Sequence, residues 1–358
     1  MYDDWQSIEK KPNCRQNCLW KFQMIGQKNK KLVRVSYIVP VFNTEKFIGR
    51  CVRSLMEQTY PYIDYIFVNN GSTDGSVAIL REAITHYPNR QSRVKIIENS
   101  INRGSATARN QGLDVAEGDY VMFADSDDYV NTDYVESMVA EAERTNADIV
   151  YCDFFESYED GDRLIKQDYG VDPMECACSM LSRAMHGSTC NKNFRRKFLL
   201  HVDLKFVDGA DLFEDVGWNV RLMACKPKLA YISKAFYHYV KFNPHSIIQS
   251  MMDSAYSRSR CLQRIRNVDV ACKYMEAKGL MNVERIRTSS RQWMLLAKND
   301  LIGDNFYSLK RWIVTFPEAD GEIWRCKKLT FNLRLLLMWL HLHLVCLYRF
   351  QKTITKII

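Results

Sequence analysis

The tetrapeptide Asp125-Ser126-Asp127-Asp128 directly follows the short apolar run Tyr120-Val121-Met122-Phe123-Ala124. In an extended segment, side chains two residues apart share a face, so Asp125 and Asp127 point into the same space at a strand's end. Two carboxylates held there repel. A divalent cation relieves that repulsion, and at the carboxyl end of a strand it is placed to hold a diphosphate. The same tetrapeptide also suits a solvated turn or a helix cap, so its neighbours decide between the readings. Two more segments gather polar groups. Asn69-Asn70-Gly71-Ser72-Thr73-Asp74-Gly75 is rich in turn formers, and Glu214-Asp215 lies within Phe213-Glu214-Asp215-Val216. Taken alone, the first reads as a strand-to-helix turn with an N-cap, and the second as a solvated loop or helix start.

Such groups act together only where regular elements aim them. The residue pattern predicts strands over Val35–Val41, Ile63–Val68, Val94–Glu98 and Tyr120–Ala124. Between them, Phe47, Ile48, Cys51, Val52, Leu55 and Met56 recur at helical spacing, and Ser76–His86 and Ala106–Ala116 also read as helices. Repeated β-α-β units make an α/β protein with a mainly parallel, Rossmann-like sheet flanked by helices, which binds ligands beyond the strands' carboxyl ends. The turns after Val41, from Asn69 to Gly75 and from Asp125 should then converge on one crevice. Beyond residue 153 the pattern loosens into an irregular stretch to about residue 250. From about residue 251 the chain reads as helical and rich in Arg and Lys.

Composition narrows the function classes. The chain of 358 residues has ample material for a large core and a helical extension. Its 12 cysteines are scattered with no Cys-x-x-Cys pair, which reads as reduced, buried thiols rather than a zinc site or a disulfide framework. Residues 1–31 are polar and lack the apolar core of a secretory signal, so a cytoplasmic protein is expected. The net charge of +8 is modest and its basic residues are dispersed, with no nucleic-acid recognition module. No Gly-rich, basic phosphate loop follows Val39, which argues against nucleotidyl transfer, and no Walker loop is present.

Taken in order, Val35-Ser36-Tyr37-Ile38-Val39-Pro40-Val41-Phe42-Asn43, Val68 to Ser76, Ala108-Arg109-Asn110 and Asp125-Ser126-Asp127-Asp128 resemble the family 2 glycosyltransferases of the GT-A fold. The resemblance covers roughly residues 33–250. It implies an enzyme that transfers a hexosyl or N-acetylhexosaminyl group, with inversion, from a nucleotide-sugar donor (a UDP-sugar in the first instance) to a hydroxyl of a glycan or lipid-linked acceptor. Surface polysaccharide synthesis is the implied setting. The resemblance nominates Pro40, Phe42, Glu45, Asn70 and Gly104 for the donor, Asp125 for its ribose or a metal-bound water, and Asp127 for Mn2+ or Mg2+. Asp215 is nominated as the base, ahead of Glu214. Arg103, Gly104 and Arg109 lie where they can assist the phosphates, an arginine there being equally suited to a structural ion pair. His238 and His245 either touch the diphosphate or pack, and Asp128 reads as structural, capping a helix that begins near Asn131. Where the family usually has two aspartates, this chain has Asn69-Asn70. Asparagine keeps a carbonyl acceptor but loses the charge. That departure motivates the alternative of a degenerate sugar-nucleotide-binding or scaffold protein.

The expected organisation is an N-terminal extension over 1–31 and a GT-A domain over 32–250, with a nucleotide half to about 130 and an acceptor half from 131. A helical region follows over 251–358. Within the last, residues 331–350 are apolar almost all round, carry Trp339 and Tyr348, and are flanked by Lys327, Lys328, Lys352 and Lys356. The segment is short for a membrane span. It suits a helix lying in the inner face of the cell membrane, a helix packed on the domain, or a dimer interface.

Overall fold

Strand β1 (Val35–Val41) is flanked in parallel by β2 (Ile63–Asn70) and by β4 (Tyr120–Phe123), with β3 (Val94–Asn99) parallel beyond β2. The computed structural model describes residues 33–244, 254–299, 301–302 and 306–348. β1, β2 and β4 are almost entirely buried, as continuous apolar strands covered on both faces should be. Helices α1 (Ile48–Met56), α2 (Ser76–Thr85) and α3 (Ser105–Val115) carry the chain back between them. The buried face of α1 is Ile48, Cys51, Val52, Leu55 and Met56, the helically spaced set of the sequence. α3 instead buries Ala106, Ala108 and Gly112, and a Cβ at Gly112 would collide with Ile38 of β1. Small residues let this helix lie close against the sheet.

The predicted irregular stretch beyond residue 153 is largely sheet. β6 (Ile149–Tyr158), β7 (Gly161–Ile165), β8 (Lys192–Arg195) and β9 (Leu229–Val240) join β5 (Tyr129–Val130) to extend the same sheet, in the order β3-β2-β1-β4-β8-β6-β9-β5 with β7 paired to β6. β8 runs antiparallel to β4 and β6, while β6 and β9 are parallel. The parallel character is therefore complete in the first half and mixed in the second. These strands escaped the sequence pattern because polar residues interrupt their apolar runs, Asp153 in β6, Lys192 and Asn193 in β8, and Ser233 and Lys234 in β9, and because the pairing of β6 with β9 shifts register near Asp153.

Helix α4 (Tyr134–Thr145) follows β5, α5 (Pro173–Leu181) follows β7, and α6 (Glu214–Met223) precedes β9. A cluster of rings fixes α6 against β4. Trp218 of α6 stacks on Phe206 with centroids 4.5 Å apart and meets Phe123 of β4 edge-on at 5.9 Å. Burying a ring of this size stabilises by roughly 1.5–3 kcal/mol. It also sets the distance between Asp125, two residues beyond Phe123, and Asp215, three residues before Trp218. The C-terminal region is helical, with α7 (Ser254–Ala277), α8 (Glu284–Asn299), α9 (Phe306–Val314) and α10 (Phe331–His341). α10 ends at His341 and packs inward through Leu337 and Leu340, so the apolar segment is not one helix to residue 350. No described helix is long and apolar enough to cross a membrane.

Candidate active site

The carboxyl ends of β1, β2 and β4 and the amino end of α6 open onto one cleft of about 1130 Å3. Pro40, Phe42, Asn70, Gly104, Asp125, Asp127 and Asp215 all line it. Glu45 does not. Its carboxylate turns to accept the Gly75 N–H at 2.9 Å, and Asp74 accepts the Glu45 N–H in return, which ties the β1 turn to the start of α2.

Arg109 of α3 joins the two acidic segments. Its guanidinium donates to Asp125 Oδ1 at 2.7 Å and to Glu214 Oε1 at 2.5 Å. Burial alone would lower its pKa, but Asp125 and Glu214 together push it above its ordinary value, so the cation is fixed. Glu214 also accepts from Ser105 Oγ at 2.9 Å. Burial raises the Glu214 carboxyl above its usual range against the pull of Arg109. Both acceptor atoms that Arg109 uses are thus structural contacts, and the phosphate role read for Arg109 has an ion pair in its place. The first amides of α3 are likewise occupied, since Asp211 Oδ1 accepts the Ala106 N–H at 3.0 Å. Gly104, at φ 88°, stands where a Cβ would strike that Asp211 carboxylate.

Asp215 is left facing the cleft. It is half-buried, accepts the Val216 N–H at 2.7 Å, and forms no ion pair among the described residues. Burial raises its pKa above the usual carboxylate value, while Arg109 and the buried ammonium of Lys192 pull the other way. Asp127 accepts from Asn243 Nδ2 at 2.7 Å. Burial first, and then the neighbouring charge of Asp125, push its carboxyl up to about 6. Among the described residues no group of three or more His, Cys, Asp or Glu could hold a metal alone. Carboxylate oxygens suit a hard cation, however, and Mg2+ is commonly held by one or two carboxylates with substrate phosphates completing its shell. The donor set at Asp127 fits such a shared site.

Asp128 does not cap the following helix, whose N-cap is Asp133. It is fully buried and accepts from Tyr237 Oη at 2.5 Å and from the Val240 N–H at 2.8 Å, fastening the acidic turn to β9. Tyr237 Oη in turn accepts the Asp125 N–H at 3.1 Å. Asn70 spends its carbonyl on the Arg103 N–H at 3.0 Å and its amide on Asn102 Oδ1 at 2.8 Å. Asn69 accepts the Ser72 N–H and donates to Glu98. Both asparagines therefore shape the loops at the β2 end of the cleft. His238 is stacked between Tyr129 and Phe155 and bonded to Asn131 and Asp162, a packing histidine. His245 lies outside the described residues. Sequence reasoning passed over Asp211, Tyr237 and Asn243. Single polar residues in unpatterned segments carry no periodic signal.

The parallel β3-β2-β1-β4 sheet with its acidic turn beyond β4 is the GT-A arrangement. Residues 36–202 match the model of the family described as Glycosyl transferase family 2, so this segment is a domain of that family. EpsH of Bacillus subtilis (strain 168), which carries a glycosyltransferase name, is 33% identical over 222 residues, spanning 60% of this chain and 62% of its own. Glycosyltransferase GlyA of Streptococcus pneumoniae serotype 4 is 31% identical over 219 residues, 58% of this chain and 30% of its own. The chain thus spans less than two thirds of these relatives. Among solved structures, S. aureus TarS 1-349 in complex with UDP-GlcNAc superposes with a TM-score of 0.63 at 20% identity, over 90% of this chain and 91% of that one. Mannosyltransferase PcManGT from Pyrobaculum calidifontis, with GDP-Man and Mn2+, superposes with a TM-score of 0.50 at 16% identity, over 91% and 93%.

Proposed function

We propose that the chain is an inverting glycosyltransferase that moves a hexosyl or N-acetylhexosaminyl group from a nucleotide-sugar to a hydroxyl of a glycan or lipid-linked oligosaccharide, in surface polysaccharide synthesis. One observation carries the reading: Asp127 and Asp215 face a single cleft while Arg109 locks Asp125 and Glu214 between them. In this reading Pro40, Phe42, Asn70 and Gly104 border the nucleoside, and Asp125 holds the ribose. Asp127 holds a divalent cation, Mn2+ or Mg2+, which when bound neutralises charge on the leaving diphosphate. Asp215 takes the acceptor's hydroxyl proton. As that oxygen attacks the anomeric carbon, the bond to the diphosphate breaks on the opposite face, and the configuration inverts. A raised pKa makes the Asp215 carboxylate a stronger base for this task.

The neighbours bound to UDP-GlcNAc and GDP-Man support a nucleotide-sugar donor. Asn70 lacks the charge of the aspartate that the family resemblance leads one to expect there, which supports a second reading, a non-catalytic sugar-nucleotide-binding or scaffold protein. Incubation with UDP-GlcNAc, UDP-Glc and GDP-Man in Mn2+ separates them. Release of nucleoside diphosphate supports the enzyme, and tight binding of all three without release supports the scaffold.

We further place the protein in the cytoplasm, touching the inner face of the cell membrane peripherally. Residues 323–358 contain no Asp or Glu and seven Lys or Arg. Within that stretch Trp324 and Phe331 are exposed with ring centroids 6.1 Å apart, near exposed Lys327 and Lys328. Aromatic rings among cations with no acid suit an anionic lipid surface.

A further inference from the structure

We propose that the acceptor end of the cleft selects an acceptor bearing an oxyanion, either phosphodiester or carboxylate, through Arg183 with Arg264 beside it. The proposal rests on the glycosyltransferase reading and names the class of acceptor. Phe213 is the residue immediately before Glu214 and Asp215, and it is held at φ 61°, a left-handed conformation that bulky side chains rarely adopt. Two guanidinium groups lie over its ring from separate elements. Arg183, in the turn after α5, stands 5.0 Å from the ring centre, and Arg264 of α7 stands 4.7 Å from it. All three residues line the cleft beside Asp215.

Two neighbouring cations are already matched: Arg109 pairs with Asp125 and Glu214, and Lys241 pairs with Glu156 at 2.9 Å. Arg183 is exposed to the cleft and forms no ion pair with any described residue. The amino end of α6, with its partial positive charge, opens at the same place. A guanidinium held over a ring, with no carboxylate paired to it, keeps N–H donors for a phosphate or carboxylate. A neutral sugar gains little from this arrangement, whereas an acceptor carrying an oxyanion near its reacting hydroxyl is drawn to Asp215.

The test titrates the full chain, with UDP and Mn2+ present, using tri(glycerol phosphate), trigalacturonate and neutral maltotriose. Both anionic probes, or one of them, should bind better than maltotriose, and the stronger names the oxyanion. Arg183 is held at φ 56°, which asparagine tolerates, and Arg183→Asn should weaken that binding about 10-fold or more while leaving UDP affinity unchanged. Arg183→Lys should recover part of it. Equal binding of maltotriose, no binding of any probe, or indifference to Arg183→Asn would overturn the proposal. Failure of the wild type to bind UDP or GDP in the same cell would instead count against the nucleotide-sugar reading, and an Arg183-dependent anion site would survive it.

Discussion

Arg109 and Glu214 meet at 2.5 Å, with side chains 6% and 9% exposed, and the same guanidinium reaches Asp125 at 2.7 Å. The donor end of the cleft and the acidic start of α6 are thus parts of one buried ionic unit. Arg109→Met removes the cation from two carboxylates, and breaking such a buried pair costs about 3–5 kcal/mol. Urea unfolding should show that loss, and Arg109→Lys should restore part of it. If Arg109→Met unfolds like the wild type, the ionic unit does not hold the site together.

Gly104 sits where the Asp211 carboxylate leaves no room for a Cβ, and its φ of 88° disfavours any other residue. Gly104→Ala should lower stability by about 1–3 kcal/mol and weaken nucleotide binding. Combining it with Asp211→Ala should return part of the loss by clearing the clash. Thermal melts of the four proteins test this, and additive effects would contradict it.

Asp127 predicts a pH dependence with a definite sign. Its folded pKa, about 6, lies above the ordinary 3.8, so the folded protein binds this proton more tightly than the unfolded chain. Without cation, this group's contribution is therefore full below the ordinary value and is lost as pH rises through about 6. A cation competes with the same proton. Mn2+ affinity, measured by calorimetry from pH 5 to 8, should be flat above about 6.5 and fall roughly tenfold per unit below about 6. Asp127→Asn should abolish both the binding and its pH dependence.

Asn70 uses both ends of its amide, so restoring a family-like aspartate is not a gain here. Asn70→Asp sets a carboxylate against Asn102 Oδ1, which already accepts the Gly104 N–H. The change should cost about 1–3 kcal/mol by leaving one of these groups unpaired. A thermal melt that rises in Asn70→Asp would show that the loop does not depend on the amide.

The parallel half of the fold was legible because β1, β2, β3 and β4 are separated by helices with turn-forming residues at every boundary. The acidic turn was legible for the same reason, since Phe123 to Asp125 marks an abrupt change from buried strand to polar loop. β6, β8 and β9 were not, because Asp153, Lys192, Asn193, Ser233 and Lys234 break their apolar runs and β6 and β9 shift register near Asp153. At the site, Asp125, Asp127 and Asp215 could be nominated from motifs and resemblance. The sequence could not reveal that Arg109 is spent on Asp125 and Glu214, or that Asp128 serves β9. Those assignments depend on which of several neighbouring acids turns inward, and only packing around Trp218 and Tyr237 decides that. Glu45 was nominated for the donor, yet its carboxylate is committed to Gly75.

Asp215 is the proposed acceptor of the hydroxyl proton. The direct measurement compares nucleoside diphosphate release by the wild type and Asp215→Asn, using the donor that the wild type turns over, with nucleotide affinity measured in parallel. The account predicts a rate lower by about 10²–10⁴, the usual contribution of a positioned base, with nucleotide affinity unchanged within about twofold. An Asp215→Asn enzyme that turns over at the wild-type rate would contradict it.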